Sequence, residues 1–167
     1  MVDSLQPPPD LSFLMDGIPP RRTLQAGRGA YVEGGKVRFF TRPAARAEAW
    51  EMRAEFSRRL PQGWMPRPGP CKVRVELVYP LRKQDRAEGD ALIPHDVKPD
   101  ADNLVKSLLD SMTRAGVWED DGQVHDLRVR KWRGRRPRWA VFVWFMPPPT
   151  RSRRQPSPDG RGQGTLF

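Results

Sequence analysis

The sequence predicts a small α/β (α+β) fold, a mixed sheet packed with two main helices, and three patterns carry that prediction. Residues 72–79 alternate, with Val73, Val75, Leu77 and Tyr79 on one side and Lys72, Arg74 and Glu76 on the other. That period belongs to a half-buried strand. From about residue 102 to 115, Leu104, Val105, Leu108, Leu109 and Met112 form an apolar stripe at helical spacing, and Gly116 supplies a C-terminal stop. Residues 124–132 and 139–145 read as two closing strands, the second apolar on both faces like a central or covered strand.

The other elements follow in chain order. Leu11-Ser12-Phe13-Leu14-Met15 is a short apolar run stopped by Asp16-Gly17, a first strand. An Arg- and Gly-rich stretch over 21–35 is interrupted by Ala30-Tyr31-Val32, and Val37 to Phe40 return as a strand after Gly34-Gly35. A helix over 44–60 takes its apolar surface from Trp50, Ala54 and Phe56, and Pro61 and Gly63 end it. Residues 81–98 form a polar loop. Leu127 and Val129 point inward from the strand over 124–132, and Arg133-Gly134-Arg135-Arg136 joins it to the last strand as a basic hairpin loop.

A chain of 167 residues holds one domain with tails. Hydrophobic residues reach 37% and there are 19 prolines, so an ordered centre lies between polar ends. The division is a flexible leader over 1–10, the folded domain over 11–147, a disordered Pro/Arg-rich linker over 148–162 and a short peptide over 163–167. A formal charge of +10 favours a polyanionic partner. The single cysteine, Cys71, excludes an intramolecular disulfide and a cysteine-rich zinc cluster, and it reads as a core thiol. No apolar stretch approaches the ~20 residues that cross a bilayer, and no secretory leader is visible, which points to a cytoplasmic setting.

The chemistry gathers around the second helix. Asp100 and Asp102 stand at its mouth in Lys98-Pro99-Asp100-Ala101-Asp102-Asn103, where one acidic residue would serve as a cap and two exceed that need. Asp120 and Asp121 follow the helix, and the chain must run back beside it for the two pairs to meet. Oxygen-only ligands favour Mg²⁺ or Mn²⁺ over zinc. Lys106, four residues after Asp102 and four before Asp110, reads from spacing alone as a surface ion pair. His95 is a lone loop histidine and reads as solvated or structural.

The ungapped run from Lys98 through Lys106, then Leu109-Asp110, then Ala115-Gly116-Val117-Trp118-Glu119-Asp120-Asp121-Gly122-Gln123-Val124, resembles the RusA-type Holliday junction resolvases (crossover junction endodeoxyribonucleases). The resemblance spans roughly 98–131 strongly and 11–146 in outline. It implies a RusA-like homodimer that cuts opposing strands of a four-way junction by paired nicks in recombination and repair. It also implies Mg²⁺ on Asp100, Asp102 and Asp121 with Asp120 beside them, Mn²⁺ substituting, and a catalytic Lys106. Arg128, Arg130, Lys131, Arg133, Arg135 and Arg136 are then candidates for DNA-backbone contacts. The sequence departs at Arg21-Arg22, where small polar residues are common in the family. Two rival readings are a non-catalytic junction-binding protein and a nuclease preferring flaps or forks.

The ending Gln163-Gly164-Thr165-Leu166-Phe167 resembles the short peptide that docks proteins on the bacterial sliding clamp. Gln163 would make a polar contact while Leu166 and Phe167 fill an apolar pocket.

Overall fold

The computed structural model describes residues 7–21, 28–86 and 89–147. Residues 1–6, the linker over 148–162 and the peptide with Gln163, Leu166 and Phe167 lie outside the described residues. The elements run β1 (Leu11–Asp16), β2 (Arg28–Glu33), β3 (Lys36–Thr41), α1 (Pro43–Arg59), β4 (Cys71–Pro80), β5 (Ile93–Pro94), α2 (Ala101–Ala115), β6 (Val124–Gly134) and β7 (Arg138–Phe145).

Five strands form one mixed sheet in the order β1-β7-β4-β6-β5, and β2 and β3 pair separately as a hairpin. β4 and β6 run parallel with α2 between them in sequence, so they make a βαβ unit. Strand alternation sends Cys71, Val73, Val75, Leu77 and Tyr79 of β4 to one face, and both helices cover it. Phe56 of α1 anchors that cover, edge-on to Phe13 at 5.0 Å and to Trp139 at 5.9 Å. α2 buries Leu104, Val105, Leu108, Leu109 and Met112, the stripe that the sequence predicts. Gly116 ends it at φ 83°, a left-handed position that costs glycine nothing.

Four expectations need correction. β6 and β7 are not a hairpin pair, because β4 lies between them and hydrogen-bonds to both. β4 is the most apolar strand on the helix side and takes the centre, where both edges are covered. Trp50 is 67% exposed, because α1 turns Ala45, Ala49, Met52 and Phe56 inward and Trp50 falls one position past that stripe. Leu127 lies on the helix side of the sheet yet remains 43% exposed, since it lines an open groove instead of the core. The leader is shorter than predicted. Asp10 accepts from Arg67 at 2.9 Å and from the Phe145 N–H at 2.8 Å, and the Pro7 carbonyl accepts from the Trp144 indole at 2.8 Å.

Candidate active site

α2 and β6 together wall a groove of about 520 Å³. Val105 and Leu109 line it from the helix, Leu127 and Val129 from the strand, and three charged groups border it: Asp102, Lys106 and Asp121. Asp102 lies in the first turn of α2 and Lys106 one turn later. Asp121 opens the 3₁₀ turn Asp121–Gln123 that leads into β6. The return segment therefore does run back beside the helix, as the acidic pairs require. Lys106 forms no ion pair with Asp102 or Asp110, and Asp102 and Asp121 carry no side-chain hydrogen bond or ion pair to any described residue. The surface-ion-pair reading of Lys106 fails on that point.

The two ends of the groove are held by different devices. Before α2, the Lys98–Pro99 peptide is cis, and the Lys131 ammonium donates to the carbonyls of Val97 at 2.9 Å and Pro99 at 2.6 Å. The His95 N–H donates to the Lys131 carbonyl at 3.0 Å, and its imidazole Nε2 lies 3.3 Å from the Lys98 carbonyl. That ring stacks on Tyr79 at 4.5 Å, and the Tyr79 hydroxyl donates to the Pro20 carbonyl at 2.8 Å. Burial holds the His95 imidazole below its usual range, and Lys131, Arg133 and Arg82 act in the same direction. Burial pushes the Tyr79 hydroxyl up, so it serves as a donor. His95 is structural, as the sequence reading has it.

After α2, the buried Trp118 anchors the chain. Asp120 then caps the 3₁₀ turn, accepting the Gly122 N–H at 2.7 Å, while Gln123 Oε1 accepts the N–H groups of Glu119 at 2.9 Å and Asp120 at 3.0 Å. Gln123 Nε2 donates to the carbonyls of Arg67 at 2.9 Å and Gly69 at 2.6 Å, tying the turn to the chain that leads into β4. A side chain at Gly122 would put its Cβ 2.8 Å from the Asp120 carboxylate, so the close turn needs glycine. Gln123 went unassigned in the sequence reading, although Asp120 and Gln123 are spaced as a capping box.

The predicted site residues thus divide. Asp102, Lys106 and Asp121 share the groove. Asp100 is the N-cap residue of α2 but makes no side-chain cap bond, and it borders a neighbouring hollow of about 400 Å³ with Asn103 and His95. Two residues along a helix turn the chain by about 200°, which sends Asp100 and Asp102 apart. Asp120 is committed to its cap. Among the described residues no three His, Cys, Asp or Glu side chains gather at metal-holding spacing, so the four-carboxylate cluster is not assembled in this chain. Two carboxylates on one open groove still fit Mg²⁺, which keeps several waters and takes one or two carboxylates plus substrate phosphate oxygens.

The basic residues divide as well. Arg133 is 4% exposed and pairs with Asp85 and Asp96, both at 2.8 Å, so it is a buried fold element rather than a DNA contact. Lys131 is spent on the loop before α2. Arg128 and Arg130 stand on the face of the sheet opposite the helices, Arg130 3.6 Å from Glu76. Arg135 and Arg136 sit beside the link to β7, where Arg135 donates to the Gly89 carbonyl at 2.9 Å and Arg136 lies 4.0 Å from Asp90. The six do not share one surface.

Residues 20–144 match the family model described as endodeoxyribonuclease RusA. The chain belongs to the RusA family. Among curated relatives of this RusA-family chain, the uncharacterized protein YqaN of Bacillus subtilis (strain 168) is 34% identical over 83 residues, 45% of this chain and 57% of that protein. The crossover junction endodeoxyribonuclease rusA of Lactococcus phage r1t is 26% identical over 122 residues, 73% of this chain and 86% of that protein. The crossover junction endodeoxyribonuclease RusA of Escherichia coli (strain K12) is 39% identical over 62 residues, 37% of this chain and 40% of that protein. The chain thus spans little more than half of YqaN and less than half of the E. coli protein. No helix among the described residues is long and apolar enough to cross a membrane.

Proposed function

We propose that this RusA-family chain is a Mg²⁺-dependent, structure-specific DNA endonuclease that resolves four-way junctions by paired nicks, in recombination and repair. The observation that carries the reading is the groove in which Asp102, Asp121 and Lys106 meet without partners of their own. Charged groups left uncompensated beside an apolar wall are costly unless something binds there. The names of the phage and E. coli relatives support the same reaction class.

Asp102 and Asp121 would hold the metal, with Asp100 joining from the adjacent turn when DNA closes on the site; Mn²⁺ substitutes for Mg²⁺. A divalent ion bound there lowers the pKa of a water and neutralises phosphate charge. Lys106 places its ammonium where negative charge grows on the scissile phosphate or the departing oxygen. Val105, Leu109, Leu127 and Val129 keep bulk water off that side of the groove, which strengthens each of these interactions. Arg128, Arg130, Arg135 and Arg136 contact backbone phosphates, recognising junction shape more than base sequence. A homodimer supplies two grooves for opposing strands, and the protein works in the cytoplasm. The peptide with Gln163, Leu166 and Phe167 docks on the sliding clamp; calorimetry of residues 155–167 against clamp tests that docking, and absence of saturable binding removes it.

The deciding assay incubates the protein with labelled four-way junctions, linear duplex and flaps, with Mg²⁺ or EDTA, beside Asp102→Asn. Paired symmetric nicks on the junction, lost with EDTA or the variant, are expected. Junction binding without cleavage under any metal would make the chain a binding module. Preferential flap cutting would keep the chemistry and change the substrate.

A further inference from the structure

Among the described residues the β2–β3 hairpin stands apart from the core. Its strands pair from Arg28↔Thr41 to Glu33↔Lys36 and turn through Gly34 and Gly35 at φ 57° and 74°. Two consecutive positive φ values are what a tight two-residue hairpin demands. Its side-chain contacts are internal: Arg38 lies 3.6 Å from Glu33, and the Tyr31 and Phe40 rings are 6.1 Å apart. A two-stranded hairpin with nothing packed on it is marginally stable in water.

Its side chains sort by face. Tyr31, Glu33, Lys36, Arg38 and Phe40 share one face, and the Phe40 ring lies over Gly29. The opposite face carries Ala30 against Phe39 and Val32 against Val37, with charge only at Arg28 by the base. Val32, Val37 and Phe39 are 71%, 60% and 72% exposed. No large apolar side chain sits on the tip, Glu33-Gly34-Gly35-Lys36, so the hairpin is not shaped to wedge between bases. A flat apolar face suits another protein surface.

The area selects the arrangement. Six residues on each of two strands give a face of about 20 by 15 Å, roughly 300 Å². Two such hairpins packed face to face would bury about 600 Å² in total, half the minimum of a stable interface. A reciprocal exchange, each hairpin lying on the body of the other copy, doubles that to about 1,200 Å² and enters the stable range. The body offers a matching surface in a groove of about 800 Å³ between residues 18–21 and α1. Ile18, Met52 and Trp139 are its apolar lining and Glu48, Glu51 and Glu55 its acidic rim. The hairpin brings Arg28, Lys36 and Arg38 against a single Glu33. Apolar face meets apolar lining, and basic edge meets acidic rim.

We infer that the chain dimerises by hairpin exchange, with β2–β3 of one copy seated in the α1 groove of a second copy and the reverse. This rests on the dimer proposed above and names what holds it. Sedimentation velocity of the full chain, without DNA or metal, tests it apart from nuclease chemistry. The wild-type chain is expected to sediment as a dimer, and Val37→Asp with Phe39→Asp as a folded monomer, the dimer Kd rising about 100-fold or more. Arg28→Glu and Glu51→Arg should each weaken the dimer about 5-fold, and the two together should restore it. A wild-type monomer overturns both the exchange and the dimer. A double-Asp variant that still dimerises overturns the exchange alone, and loss of junction binding in that dimer would assign the hairpin to DNA. Failure of the charge reversal to restore association overturns the α1 groove as the receiving surface.

Discussion

Replacing Gln123 with alanine should damage the candidate site without touching it. The side chain makes four hydrogen bonds: its oxygen accepts from the N–H groups of Glu119 and Asp120, and its nitrogen donates to the carbonyls of Arg67 and Gly69. Three of these are exposed and one is half-buried, so water replaces part of each. At the low end of ~0.5–1.5 kcal/mol per bond, the loss is about 2 kcal/mol. For a domain of this size that lowers Tm by roughly 8 °C. The turn carrying Asp121 loosens at the same time, so junction cleavage should fall about 10-fold or more, because small misplacements of catalytic groups are costly. Gln123→Glu separates the two halves: it keeps both accepting bonds, loses both donating ones and sets a charge against two carbonyls. It should therefore be no better than alanine in stability while holding Asp120 more firmly. Differential scanning calorimetry and single-turnover junction cleavage read the two effects. If Gln123→Ala melts within 1 °C of wild type and cuts at the wild-type rate, the capping box does not set Asp121 and the account of the groove's far end is wrong.

Other perturbations reach other links of the same chain of reasoning. Asp102→Asn and Asp121→Asn remove side chains without partners, so each should lower cleavage at least ~100-fold with Tm and junction affinity unchanged; a large loss of Tm in either would show that the carboxylate is structural. The backbone N–H of Arg82 chiefly holds Asp85 below the ordinary carboxylate range, and the Arg133 guanidinium chiefly does so for Asp96. Their stabilisation is complete above the unfolded value of 3.8 and is lost as pH falls through the lower folded values. Melting curves of Asp96→Asn should accordingly be flatter than wild type below about pH 4. His95, depressed mainly by burial, adds stability as pH rises towards and past 6.5, so His95→Phe should abolish the part of the slope just below that pH. Burial raises the Cys71 thiol to about 11, so it should resist a thiol reagent at pH 8 until the protein unfolds; rapid native labelling would contradict its place in β4.

The helices and most strands were legible because their signals are local. The stripe of α2 and the alternation of β4 each repeat within a few residues, and burial follows the repeat. The groove's charged set was half legible: Asp102 and Lys106 share a helix face by spacing, and Asp121 was placed by family resemblance and by the return of the chain. The excess of six basic candidates over the exposed ones has a single cause. A guanidinium near a sequence of like charges reads as surface, yet Arg133 finds Asp85 and Asp96 across the 81–98 loop, and burial then makes that pairing structural. Lys131 is the same case, with two carbonyls in place of the carboxylates.

By itself the sequence determined the element types, the capped second helix, the acidic motif at its mouth and, through that motif, the family. Periodicity and turn chemistry act over a few residues and need no partner to be read. Tertiary structure decided the rest: β4 between β6 and β7, Asp102 with Asp121 on one groove while Asp100 and Asp120 turn elsewhere, and which cations remain exposed. Those outcomes depend on contacts between residues tens of positions apart, and only the packed sheet brings such residues together.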